Sequence, residues 1–268
     1  MSSFSIEIDN ERITTEGGAL DISIPLAFDG EQPNFYDAEA ASTRPMHSGE
    51  FIGDTRLGGS CNADHVSLIA HVNGTHTECV GHITQERVSI HRLVTAPLYR
   101  CTVITAPPES VADSDEHGGP IAEVNDVMIT RKGLEESGIQ VRGNALAIRT
   151  LPNPTTKTTR VYKATTTPYF SVEAMQWIVD NGIDHLLVDT PSVDRLIDDG
   201  RLTTHRMFWG LGAGDRSVTA ASRPKATITE LIYIPDEIED GHYLLDLQIA
   251  PFISDAAPSR PLLHRIAT

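Results

Sequence analysis

Apolar and polar positions alternate along this chain in short bursts, the pattern of extended segments with one covered face. The alternation predicts strands over Leu20–Leu26, Val66–Val72, Leu98–Ala106, Asn144–Thr150, Ala226–Ile234 and Tyr243–Ala250. Ile183–Val188 closes on Leu-Leu-Val and reads as a strand buried on both faces. A helix precedes it: Ser171 stands at the N-cap, Glu173 in the first turn, Met175, Ile178 and Val179 share a face, and Gly182 ends it. A second helix is expected within Ile121–Ser137. Strands and helices mixed in this order predict an α/β domain with a mixed sheet. No repeat or low-complexity linker divides the chain, so 1–268 is read as a single domain. Asn153–Tyr169 is rich in Thr and Pro and lacks periodicity; it reads as a lid or binding loop, or as an irregular surface loop.

Composition narrows the partners. The 268 residues suffice for one large core. The 21 Lys and Arg stand against 37 Asp and Glu, a formal net charge of -16. Such a surface repels phosphate backbones, which argues against nucleic acid, and it attracts divalent cations. Cys61, Cys79 and Cys101 show no disulfide or CxxC spacing, which suits a reducing compartment. No secretory pattern and no apolar run of roughly 18 residues is visible, so a cytoplasmic protein without a membrane partner is expected.

Chemistry concentrates in HVNGTHTECVGH, His71 to His82. Imidazole is the commonest metal ligand, and a carboxylate adds charge that holds a divalent ion. In an extended segment His76 and Glu78 point to one side. Gly74 lets the backbone turn before them, and His82 follows Gly81. His76 and His82 are six apart, so this is not the HExxH arrangement of one helix face. Partners must come from elsewhere. In ATITELIYIP, alternation places Glu230 on a face with Ile228, Ile232 and Ile234, where a carboxylate is costly unless paired or bound to a cation. His205, in RLTTHRMFW, is by itself an ordinary structural histidine. GLGAGD at Gly210–Asp215 is not GxGxxG, no GxSxG or Walker A sequence is present, and Cys79 reads as a small buried thiol.

These segments together resemble the bacterial kynurenine formamidase-like, or cyclase-family, metal-dependent hydrolases. The family frame HxGTHxDxPxH is similar to Gly74-Thr75-His76-Thr77-Glu78 closed by His82, and DISIPL, AIRT, PYFSVEAMQWIV, VDTPSVD and TITEL follow in family order. The resemblance implies a curved, barrel-like mixed β-sheet flanked by helices, assembled as a homodimer or homotetramer. It places metal ligands at His76, Glu78, His205 and Glu230 and the catalytic histidine at His82. The family's first ligand would fall on Val72; its neighbour His71 becomes a ligand only if a bulge re-aims it. Glu78 stands where the family has Asp, and Val80 where it has Pro, which suggests a centre with one metal. Asp189 and Asp194, both in VDTPSVD, are given structural roles, in a turn that positions the loop carrying His205.

The resulting expectation is a single Zn or Mn ion and hydrolysis of a C–N amide bond, in a formamide or cyclic amide. His82, near its working pKa, would shuttle the proton. Loops at Gln32–Tyr36 and Pro168–Phe170 are expected to wall an aromatic or cyclic small-molecule substrate. The alternatives are a non-catalytic metal-binding scaffold and a cyclase or dehydratase of small-molecule biosynthesis.

Overall fold

Strands buried on both faces need a sheet covered on both sides, and here the sheet closes on itself. The computed structural model describes residues 3–267 apart from positions 9, 97 and 165. Among these residues the main sheet contains β1 (Ser5–Ile8), β2 (Glu11–Asp21), β3 (His76–Cys79), β4 (Tyr99–Ala106), β5 (Ala145–Thr150), β6 (His185–Val188), β7 (Thr227–Glu230), β8 (Gly241–Ile249) and β9 (Ala256–Ile266). Their order is β1-β2-β9-β8-β4-β5-β6-β7-β3, and β3 pairs back onto β9. The stretch from β9 round to β3 is therefore a closed seven-stranded barrel. The strands β4, β5, β6 and β7 are parallel to one another, and β3, β8 and β9 pair antiparallel with their neighbours.

Parallel neighbours require crossovers. These carry α1 (Arg131–Glu136), α2 (Val172–Asp180) and α3 (Thr203–Trp209). Side chains alternate across the wall: Leu146, Ile148, Leu186 and Ile228 pack with Leu134, Met175, Ile178, Phe208 and Trp209 of the helices. Ala145, Ala147 and Leu187 face the other way, toward Tyr99, Val103, Leu245 and Leu263 in the barrel interior. The expected α/β barrel-like architecture is what the chain adopts. None of the described helices is long and apolar enough to cross a membrane.

Several predicted elements shift. The strand at Leu20–Leu26 is the tail of β2, after which only Ser23 bridges to Ile232. Val66–Val72 supplies strand only in Asp64–Ser67; the residues beyond it turn, with Val72 and Asn73 both donating to the Ile69 carbonyl at 3.0 Å. The helix expected within Ile121–Ser137 shrinks to α1, because Val127–Ile129 is extended and pairs with Tyr169–Phe170. By contrast α2 begins as predicted: Ser171 Oγ accepts from Ala174 N at 2.9 Å. The Thr- and Pro-rich loop is anchored rather than open. Lys157 Nζ is buried within it and donates to Thr150 O (2.6 Å), Thr150 Oγ1 (2.9 Å) and Asp189 Oδ2 (2.7 Å).

Candidate metal centre

The antiparallel pairing of β3 with β7 sets His76 opposite Glu230 and Glu78 opposite Ile228. Ile228 belongs to the cluster under the helices, so His76, Glu78 and Glu230 point out of the barrel toward α3. Helix α3 brings His205 to the same point. Its Nε2 lies 3.1 Å from Glu78 Oε1 and 3.6 Å from Glu230 Oε1, and His76 Nε2 lies 3.4 Å from Glu230 Oε2. Four residues from two strands and a helix, far apart in sequence, thus converge.

Each side chain is held from behind. His76 Nδ1 donates to Gly74 O at 3.0 Å, which is possible because Gly74 adopts a positive φ of 78° and turns its carbonyl inward. Asp194 accepts from His205 Nδ1 (2.6 Å) and also from Thr204 N (2.7 Å) and Oγ1 (2.8 Å). Val193 N donates to Glu230 Oε1 at 3.1 Å. The structural role expected for Asp194 is therefore that of orienting His205, and Asp189 secures Lys157 and Thr150. His205 was expected on a loop; it sits instead on α3.

Glu230 departs from its predicted surroundings. Ile232 and Ile234 pack in the interior cluster, not beside Ile228. Leu231 causes the switch. Its φ is +55°, a left-handed conformation rare for a branched side chain, and it ends the strand and reverses the facing of the residues after it. Thr75 Oγ1 holds that distortion by donating to Leu231 O at 2.5 Å.

His71 reaches the centre through a turn, not the bulge that the spacing required. Its Nδ1 lies 2.7 Å from Glu78 Oε2 and its Nε2 2.7 Å from Asp255 Oδ2. Val72 is buried among Ile24, Phe35, Tyr162, Leu196 and Leu231. The His82 ring lies over His71, centroids 4.1 Å apart, with Nδ1 4.0 Å from Glu78 and 3.9 Å from Asp255. His71 and His82 line the open edge, their side chains 26% and 28% exposed, whereas His76 and Glu78 are buried. Sequence reasoning missed Asp255 and Arg87, whose guanidinium binds Asp255 Oδ1 at 3.0 Å. No local signal marks either.

The charges follow from this packing. Burial opposes the Glu78 carboxylate, yet the hydrogen bonds of His205 and His71 hold it ionised, well below the usual range. Burial and the neighbouring Glu78 raise Glu230. Burial pulls His82 down to about 4, so it is neutral at pH 7 rather than near its working value as expected. For His71 burial works downward too, but hydrogen bonds to Asp255 and Glu78 raise it to about 10.

A divalent cation fits this donor set. His76 Nε2 is buried and has no hydrogen-bond partner, while its Nδ1 proton is engaged; the orphaned lone pair needs an electrophile. Two buried carboxylates beside it supply compensating charge. Ligating atoms of His71, His76 and Glu78 lie within 4.8 Å of one another, as do those of Glu78, His82 and His205. Of the expected substrate walls, Tyr169 and Phe170 are buried in the core, and Gln32 bonds its own loop. Tyr36 remains: 58% exposed, its phenol pushed up to about 12 by partial burial and by the carboxylates of Asp198, Glu230 and Asp194.

A closed α/β barrel bearing a histidine–carboxylate centre between its wall and one crossover helix defines the class. The chain belongs to the family described as "Putative cyclase", whose model matches residues 20–195. Among solved structures it is similar to a "predicted metal-dependent hydrolase" from Bacillus stearothermophilus, at 15% identity, TM-score 0.59, with 92% of this chain and 98% of that one covered. It is also similar to isatin hydrolase A from Labrenzia aggregata, at 14% identity, TM-score 0.61, covering 93% and 94%. An isatin hydrolase bound to the product analogue thioisatinate aligns at 13% identity, TM-score 0.57, covering 93% and 92%. At these identities the likeness establishes the fold. No curated protein matches the chain.

Proposed function

We propose that this protein is a metal-dependent hydrolase that opens a C–N amide bond, in a formamide or a cyclic amide, of a small molecule. The observation that carries the reading is the buried, unpartnered His76 Nε2 facing Glu230, Glu78 and His205. Membership of the cyclase family supports it, as does the likeness to two isatin hydrolases and a "predicted metal-dependent hydrolase".

His76, Glu78, His205 and Glu230, with His71, would hold a Zn or Mn ion. When bound, such an ion supplies Lewis acidity, acidifying water and drawing charge from a carbonyl oxygen. The remaining work falls to the chain. Glu78 and Glu230 neutralise charge in a site from which burial excludes bulk water. Asp194 keeps the Nδ1 proton on His205, so that Nε2 faces inward. His82 stands at the open edge and is neutral at pH 7. It accepts a proton from attacking water and returns it to the departing nitrogen. Tyr36, exposed and under the influence of the Glu230 and Asp194 carboxylates, would meet an aromatic substrate body.

The test is turnover of a panel of N-formyl arylamines, cyclic amides including isatin, and lactones by zinc- and manganese-loaded protein. His82→Ala should keep its metal and lose hydrolysis by roughly 100-fold or more. Unchanged turnover would remove His82 from the mechanism, and an inert panel would remove the hydrolase.

A further inference from the structure

We propose that Asp255 is the positioning residue that makes His71 a metal ligand in place of the family position occupied here by Val72. The inference rests on the metal-dependent reading above. It draws the residue just before the barrel's last strand into the centre, from outside the matched residues 20–195.

Histidines that bind metal ordinarily donate their other ring N–H to a carboxylate or carbonyl, which fixes tautomer and ring orientation. Three imidazoles here satisfy that condition. His76 gives its far nitrogen to Gly74 O at 3.0 Å, His205 to Asp194 Oδ2 at 2.6 Å, and His71 to Asp255 Oδ2 at 2.7 Å. In each case the near nitrogen faces Glu78 or Glu230. His82, the fourth imidazole, has no hydrogen bond among the described residues; its nearest carboxylate oxygens are 3.9 and 4.0 Å away. The hydrogen bonds thus separate three oriented rings from one free to carry a proton.

Asp255 owes its place to closure of the barrel. Ala256 pairs with Glu78 and Pro258 with His76, and Cys79 N donates to Asp255 O at 3.1 Å. Arg87 engages Oδ1 at 3.0 Å and leaves Oδ2 for His71. The turn at Ile69 sends Val72 into the apolar cluster and swings its neighbour His71 toward the centre. Among the described residues, no group besides Asp255 holds the far nitrogen of that ring.

Wild type, His71→Ala, Asp255→Asn, Asp255→Glu and the His71→Ala/Asp255→Asn double variant, all stripped of metal, would be titrated with Co(II) and followed by calorimetry and visible absorption. His71→Ala and Asp255→Asn should each weaken Co(II) binding by about 10- to 100-fold. The double variant should be no weaker than His71→Ala alone, because Asp255 acts through His71. The absorption bands of Asp255→Asn should move toward those of His71→Ala, and Asp255→Glu should recover part of the loss. Wild-type affinity in Asp255→Asn would overturn the proposal, and so would single losses that multiply in the double variant, the mark of independent residues. X-ray absorption on zinc-loaded wild type checks it without any variant: three imidazoles are expected, and two would overturn it. A wild type that binds no Co(II) or zinc would overturn the metal-dependent reading itself; normal wild-type binding with an additive cycle overturns this inference alone.

Discussion

Glu230 shows how much one position can disclose. A carboxylate between apolar residues on a strand must be paired or bound to a cation, and that argument singled Glu230 out before the family resemblance set it among the ligands. The parity that placed Ile232 beside it failed, because alternation cannot foresee a residue such as Leu231 with φ +55°. His76 and Glu78 were legible from their spacing. Asp255 was not, since an acidic residue before a strand looks like any loop aspartate until closure of the barrel brings it to His71. Glu230 also faces Glu78, which raises it, so without a cation the two destabilise each other. Glu230→Gln keeps the oxygen that receives Val193 N but removes the buried charge. In chelator the variant should melt higher than wild type, by about 1 kcal/mol or roughly 2–4 °C, and it should lose most of the stabilisation that added zinc gives wild type. A variant that melts lower in chelator would mean that the charge is compensated within the protein.

At the scale of elements, legibility followed local signals. The strands β4, β5 and β8 and helix α2 carry their own periodicity and caps, and all four appear close to their predicted bounds. Helix α3 lacked a local signal. It is seven residues long and preceded by Leu202 in a left-handed conformation, and its first amides are capped by Asp194, ten positions upstream of Thr204. A cap supplied from so far away leaves no motif at the helix start. The anchor of the loop after β5 left no local signal for a related reason: the Lys157–Asp189 pair joins residues 32 apart. Both groups are buried, so breaking the pair strands a charge. Lys157→Met should destabilise the fold by about 3–5 kcal/mol and expose the loop to limited proteolysis. Adding Asp189→Asn, which preserves hydrogen bonds to Thr150, should restore much of that loss. If the single variant melts like wild type, the pair does not anchor the loop.

For the molecule as a whole, closing the sheet creates an interior in which polar groups have few partners. His185 lies there on β6, its Nδ1 2.8 Å from Thr227 Oγ1 and its ring 4.0 Å from that of Tyr99. Burial lowers this histidine from its ordinary 6.5 to about 4, and Asp184 opposes the shift only weakly. Between those values the unfolded chain binds the proton and the folded barrel does not. Stability from this residue is therefore complete above pH 6.5 and is lost as pH falls toward 4, below which both states are protonated and its contribution levels off. One proton sets the slope, at most about 1.4 kcal/mol per pH unit. His185→Gln can still bond Thr227 but cannot titrate. Denaturant unfolding of chelated protein between pH 7 and pH 4 should thus show a shallower loss of stability in the variant. Parallel curves would place the acid sensitivity elsewhere, and the interior histidine would then be hydrated inside the barrel rather than held dry.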